Sequence, residues 1–180
     1  MPAASKKRLS RQDWIDAAIT VGAEVGFGKI SVEALATRVG ATRGSFYWHF
    51  ADRAELISAV LDQWETRSTI QTIEFLDALP AAEAIERLIA TAFGSTREQD
   101  RAELQLITAA DDELIGPVVA RVHRLRVSFI EKLLVGKGVP ADGVSERARV
   151  IYSAYLGAML LQQSEPEGPN LGPALLRLLG

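Results

Sequence analysis

Apolar residues recur along this chain at three- and four-residue intervals, and no segment sustains the two-residue alternation of a half-buried strand. The pattern predicts an all-α fold of about nine helices. The first runs from about Ser10 to Val25, with Trp14, Ala17, Ala18, Val21 and Val25 on one face. Ser10 is its candidate N-cap, and Gly26 and Gly28 stop it. The second begins behind Ser31 and turns Val32, Leu35, Ala36 and Val39 inward. A turn at Val39-Gly40-Ala41 separates it from a third helix over residues 42–50. Asp52 and Glu55 form a capping box for a long fourth helix that Pro80 ends. Five more helical stretches follow at about 82–93, 99–110, 113–135, 142–163 and 171–179, with Gly116-Pro117 marking a boundary or kink in the third of them.

Helices two and three have the order of a helix-turn-helix. In a helix over 42–50, Phe46 and Phe50 share one face and would seal a three-helix core against Trp14, Leu35 and Val39. Arg43 and Tyr47 share another face, directed outward. Arg43 could fork to the O6 and N7 of guanine, a contact worth about 1–3 kcal/mol in discrimination. Gly44 and Ser45 would let the helix N-terminus come close to base edges or phosphates. Tyr47 and His49 carry donors suited to the DNA backbone. Core packing is the competing role for Tyr47 and Trp48, and capping for His49.

Charge changes this picture in one respect. The net charge is −3, which argues against a nucleic-acid partner, but its distribution argues for one. Residues 1–50 hold seven Lys/Arg against four acids, and the rest of the chain is about −6. There is no cysteine and there are only two histidines, His49 and His123, so thiolate chemistry and a multi-histidine metal site are excluded. The basic N-terminus is not followed by an apolar stretch. The longest apolar run, Tyr152–Leu161, is about half of the ~20 residues of a membrane span. The expectation is a cytoplasmic protein with no membrane partner. Asp111-Asp112-Glu113 is the densest acid cluster, but adjacent carboxylates diverge on a helix. No catalytic order, phosphate loop or metal spacing accompanies it, so neither an enzyme nor a cofactor is expected.

Residues 9–61 resemble the DNA-binding domain of the tetracycline-repressor (TetR) family of bacterial transcription regulators. The matching residues, in order, are Ala17-Ala18, Gly26-Phe27, Ser31-Val32, Leu35-Ala36, Gly40, Gly44, Tyr47, His49-Phe50 and Glu55-Leu56. Two positions depart from the family pattern: Arg53, where lysine is usual, and Ala41-Thr42, where Val-Ser is more common. The resemblance implies that Arg43, Gly44 and Ser45 lie in the major groove. Thr42, Tyr47, Trp48, His49 and Arg53 would then touch phosphates, Ser31 would belong to the same DNA-binding set, and Lys6, Lys7 and Arg8 would form a basic arm. It further implies a DNA-binding domain over 1–51 and an effector-binding, dimerising helical domain over 52–180. The protein would be a homodimeric repressor on a palindromic operator in double-stranded DNA, released by a small molecule. Ligand-independent regulation, activation, or a helical interaction role that leaves the head unused are the alternatives.

Beyond Leu61 the evidence is periodicity alone. Helical spacing links Val118, Val119, Val122, Leu125, Phe129, Ile130 and Leu133. Residues 150–161 are apolar nearly all round, and a helix apolar on every side is buried on every side. The last two helices are therefore expected to form a dimer interface through Ile151, Tyr152, Tyr155, Met159, Leu160, Leu175 and Leu178, with a purely intrachain core as the alternative. A small apolar effector is expected against Trp64, Phe93, Leu104, Ile107, His123 and Phe129, with Phe75 and Ile115 nearby and Gln163 as a further polar anchor. Core packing competes with ligand contact at each of these positions.

Overall fold

Local capping explains where the helices of the head begin. The structure, a computed structural model, describes residues 9–178, for Leu178 the backbone alone. Helix α1 (Arg11–Val25) starts with a reciprocal box. The Ser10 hydroxyl accepts the Asp13 N–H at 3.2 Å, and the Asp13 carboxylate accepts the Ser10 N–H at 2.6 Å. Gly26, at φ 92°, ends α1 in a conformation that favours glycine. A 3₁₀ turn (Phe27–Lys29) leads to α2 (Val32–Arg38), capped by Ser31. Gly40, at φ 64°, turns the chain into α3 (Arg43–Phe46), capped by Thr42.

Helix α3 is shorter than the predicted 42–50. Beyond Phe46 the chain continues in turns, with the N–H groups of His49 and Phe50 both donating to the Phe46 carbonyl at 2.9 and 3.1 Å. The tightened turn brings Phe46 and Phe50 into the core together. Their rings stack at 5.4 Å, and Trp14 meets Phe46 edge-on at the same distance.

Helix α4 is one rod in three parts: α-helical Arg53–Glu65, a π-helical turn Thr66–Ile70, and α-helical Gln71–Asp77. Then come α5 (Ala81–Ala92), α6 (Arg97–Ile107), α7 (Ile115–Gly136), α8 (Val144–Ser164) and α9 (Gly172–Leu178). Asp112 caps α7 by accepting the N–H groups of Leu114 and Ile115 at 2.9 and 3.2 Å. Pro117 lies in the first turn of α7, where a missing N–H breaks no intrahelical bond, so of the expected boundary or kink it is the boundary that occurs. All the described elements are helices and their connections; no strand occurs among them.

The head is not an island. Its core of Trp14, Phe27, Leu35, Phe46 and Phe50 is continuous with Leu56, Ile57, Val60 and Leu61 of α4. Leu106 of α6 and Ile115 and Val119 of α7 belong to the same cluster. Burying side chains of this size contributes about 1.5–3 kcal/mol each. Helix α1 lies along α6, which ties the head directly to the body. Glu65, buried at the end of the first part of α4, accepts from Arg121 of α7 at 2.6 Å (Nε) and through Nη2, and this holds its carboxyl below the ordinary range.

Two further clusters fill the body. One gathers Leu76, Ile85, Ile89, Phe129 and Leu133, and the other joins α7 to α8 through Ile130, Leu134, Val144, Ala148, Ile151 and Tyr152. This corrects the expected interface face of α8. Ile151, Tyr152 and Met159 are buried against their own chain, and Tyr155 is half-buried. The outward face carries Val150, Ala154, Gly157, Leu160 and Leu161, of which Leu160 alone was among the expected contacts. Leu175 is half-buried against both body clusters, and the Leu178 side chain lies outside the described residues. The all-round apolar character of α8 thus serves an intrachain face and an exposed one.

Candidate DNA-binding surface and ligand cavity

The aromatic block of the third helix divides as its spacing predicts. Phe46 and Phe50 are buried, while Tyr47 is 50 % and Trp48 78 % exposed, which is not core packing. Thr42, Arg43 and Gly44 are exposed, and Ser45 and His49 are half-buried on the same rim. Arg43 is paired with Glu33 of α2 at 2.8 Å; the Tyr47 hydroxyl, and then Glu33, raise its already high pKa. At so exposed a site the pair is weak, and a phosphate or base edge can replace Glu33. A Cβ placed on Gly44 would meet only Thr42 Oγ1, at 3.7 Å, so nothing within the chain demands glycine there. Ser31 is half-buried with its hydroxyl engaged as the α2 cap. Lys6, Lys7 and Arg8 lie outside the described residues.

Arg53, expected at a phosphate, is instead engaged internally. Its Nε donates to the Ile30 carbonyl at 2.7 Å, and Nη2 donates to those of Phe27 and Gly28 at 2.8 and 3.2 Å. Those carbonyls belong to the α1–α2 connection, so Arg53 clamps the start of α4 onto the helix-turn-helix. Charge-assisted bonds of this kind are roughly twice as strong as neutral ones. Its partners are remote in sequence, and no local pattern could have revealed them.

The body contains a cavity of about 610 Å³ between α4, α5, α6, α7 and α8, reaching Ile19 and Phe27 of the head. Of the residues expected against an effector, Trp64, Phe93 and Phe129 line it, and Leu104, Ile107 and His123 do not. Ile107 packs on the head's core, and His123 pairs its Nδ1 with the Tyr152 hydroxyl at 2.7 Å. Burial, reinforced by the nearby charge of Arg126, holds that imidazole below its ordinary pKa. Phe75 is exposed and Ile115 belongs to the head's core.

Periodicity missed the cavity's polar floor. Arg126 Nη1 donates to Glu103 Oε1 at 2.5 Å, and its Nε donates to Thr69 Oγ1 at 2.9 Å. Nη2 donates to the hydroxyl and carbonyl of Ser68 at 3.0 and 3.3 Å. Both Ser68 and Thr69 belong to the π turn of α4, so Arg126 holds the point where that rod departs from α-helix. Burial opposes the Arg126 charge, but Glu103 more than offsets it and the pKa rises. Glu103 also accepts from Trp64 Nε1 and Tyr155 Oη, each at 3.3 Å. Asp100, 4 % exposed, accepts one bond, from Ser95 Oγ at 2.5 Å. Burial raises its carboxyl above the ordinary range, against the effect of that bond. A signal for the floor does exist in the sequence: Arg126 stands three and four residues before Phe129 and Ile130, on an otherwise apolar face.

An exposed polar helix start on a buried aromatic base, joined to a helical body with its own cavity, is the architecture of a helix-turn-helix DNA-binding protein. Residues 15–60 match the family described as bacterial regulatory proteins, tetR family. Over those residues the chain carries the helix-turn-helix region of that family, and it is similar to the family's transcriptional regulators. It is 23 % identical over 164 residues to the HTH-type transcriptional regulator AcrR of Shigella flexneri, covering 84 % of this chain and 76 % of that protein. Among solved structures, the transcriptional regulator FadR from Bacillus subtilis, in complex with stearoyl-CoA, superposes with a TM-score of 0.74 at 15 % identity. That match covers 94 % of this chain and 97 % of the other. A regulator structure from Saccharomonospora viridis, in complex with choline, gives 0.74 at 14 % identity over 94 % and 92 % of the two chains. At these identities the structures share the fold. The relatives are regulators and not enzymes. No helix among the described residues is long and apolar enough to cross a membrane.

Proposed function

We propose that the chain is a homodimeric, cytoplasmic repressor that leaves a palindromic operator when a small molecule fills its cavity. In this reading residues 1–51 bind DNA and 52–180 sense and dimerise. The observation that carries it is the continuity of the cavity wall with the head. Trp64, Ser68 and Thr69 are on the rod that Arg53 clamps to the helix-turn-helix, and Glu103 and Leu106 are on the helix that lies along α1. A ligand that moves α4 or α6 therefore moves the reading helix. It lowers DNA affinity to the extent that it prefers the moved state. Ligand complexes among the structural neighbours, with stearoyl-CoA and with choline, support a sensing role for the body. The exposed face of α8, with small Ala154 and Gly157 between Val150 and Leu161, supports a two-fold partner.

On DNA, Arg43 reads a base while Thr42, Tyr47, Trp48 and His49 hold phosphates, with Gly44 and Ser45 allowing close approach. The test begins with DNA selected by the full chain from a random duplex pool, followed by mobility-shift titration. Arg43→Ala is expected to relax preference at one position of each half-site by about 1–3 kcal/mol. Unchanged selectivity would remove Arg43 from the reading role. Sedimentation of the same protein is expected to give a dimer, and a monomer at micromolar concentration would refute the two-fold arrangement.

A further inference from the structure

The cavity's charges do not balance, and the imbalance identifies an occupant. Two carboxylates, Asp100 and Glu103, line its interior against one guanidinium, Arg126; Arg67, the other charged lining residue, is exposed to solvent and screened by it. Arg126 and Glu103 neutralise each other. Every nitrogen of Arg126 already has an acceptor, and Glu103 accepts from Arg126, Trp64 and Tyr155. Asp100 is left with a single hydroxyl partner although it is more than nine-tenths buried. A buried carboxylate without a cation or several donors is unfavourable.

Around this group the walls are aromatic. Phe93 and Tyr155 meet edge-to-face at 6.1 Å, Tyr152 stacks on Tyr155 at 6.1 Å, and Trp64 and Phe129 face the same space. Aromatic faces attract a desolvated cation, and the cavity volume lies in the range of about 300–1,000 Å³ typical of small-molecule sites. An anion fares badly here. Beside Arg126 it would compete with Glu103 for the one buried guanidinium and would add a third negative group to an apolar enclosure. A neutral ligand without donors leaves Asp100 as it is.

We infer that the cavity binds an organic cation: an amine or quaternary ammonium head set against Asp100, with an apolar body among Trp64, Phe93, Phe129 and Tyr155. This deepens the sensing role proposed above and rests on it for its regulatory meaning, though the binding itself does not. It also revises the expectation of a small apolar effector.

The test is calorimetric titration of the full chain with three probes of matched tail: octyltrimethylammonium, 1-octanol and octanoate. The cation is expected to bind at least tenfold more tightly than either comparator. Asp100→Asn keeps an acceptor for Ser95 and removes the charge. It should abolish the cation's advantage while 1-octanol binds within twofold of its wild-type affinity. Octanoate binding most tightly, or an undiminished cation advantage in Asp100→Asn, would overturn the inference. If Asp100→Asn does not fold, as read by circular dichroism, the three-probe ranking on the wild-type chain decides alone. Repeating the mobility shift with saturating octyltrimethylammonium separates the two readings. Asp100-dependent binding that leaves DNA affinity unchanged sinks ligand release and keeps the cation site. Release by octanoate without a cation preference does the opposite.

Discussion

Replacing Gly44 by alanine should separate folding from DNA binding within one residue. Gly44 is the second residue of α3, exposed, and not among the glycines with positive φ. Its new Cβ would have one neighbour, Thr42 Oγ1, at ordinary contact distance, 3.7 Å. Inside the chain the methyl group therefore costs nothing, while the unfolded chain loses conformational freedom. The expected gain is about 0.4–1 kcal/mol, or roughly 1–4 °C in melting temperature for a chain of this size. At the DNA surface the sign reverses. A methyl group inserted where helix N–H groups approach a phosphate or base edge acts as overpacking, which typically costs about 1–3 kcal/mol. A rise in Kd of roughly fivefold or more should appear in a mobility-shift titration. Thermal melting on the same preparation supplies the other half. An unchanged Kd would mean that the start of α3 does not come close to DNA, and the orientation proposed for the reading helix would fall. A drop in melting temperature would mean instead that glycine serves the fold.

Other glycines and charges behave differently. Gly22→Ala drives a Cβ into the Phe27 ring, which is 1 % exposed and has little room to yield, so stability should fall by about 1–3 kcal/mol in urea titration. No loss would show that the ring can move aside. Glu103→Gln and Arg126→Met each strand one member of an ion pair whose side chains are 11 % and 12 % exposed, and each should cost about 3–5 kcal/mol. The double variant should lose clearly less than the sum, and strict additivity would deny the pairing. His123 is neutral in the fold because burial lowers its pKa, so its contribution to stability is present above its ordinary value of 6.5 and is lost as pH falls through the lowered one. Urea midpoints taken across that acid range should decline less in His123→Gln than in the wild-type chain; equal slopes would place the pH dependence elsewhere.

What one stretch of chain can decide by itself was legible. Ser10, Ser31, Thr42 and Asp52 all cap helices, because a side chain reaching an N–H three residues on needs nothing from the rest of the fold. The buried Phe46–Phe50 pair and outward Tyr47 follow from the same short-range geometry, as does the resemblance that rests on them. Tertiary structure decided the rest, wherever partners are distant or two faces look alike. Arg53 reads locally as a surface cation and becomes a clamp only because the α1–α2 connection presents three carbonyls to it. Residues 150–161 are apolar on both sides, so only packing against α7 could show that Ile151 and Tyr152 turn inward while Val150 and Leu161 turn out. Asp100 and Glu103 look like ordinary solvated charge, and Arg126, though it stands on an apolar face of another helix, shows no partner in the sequence. Folding encloses them in one apolar space, where water no longer screens them and their imbalance acquires a meaning.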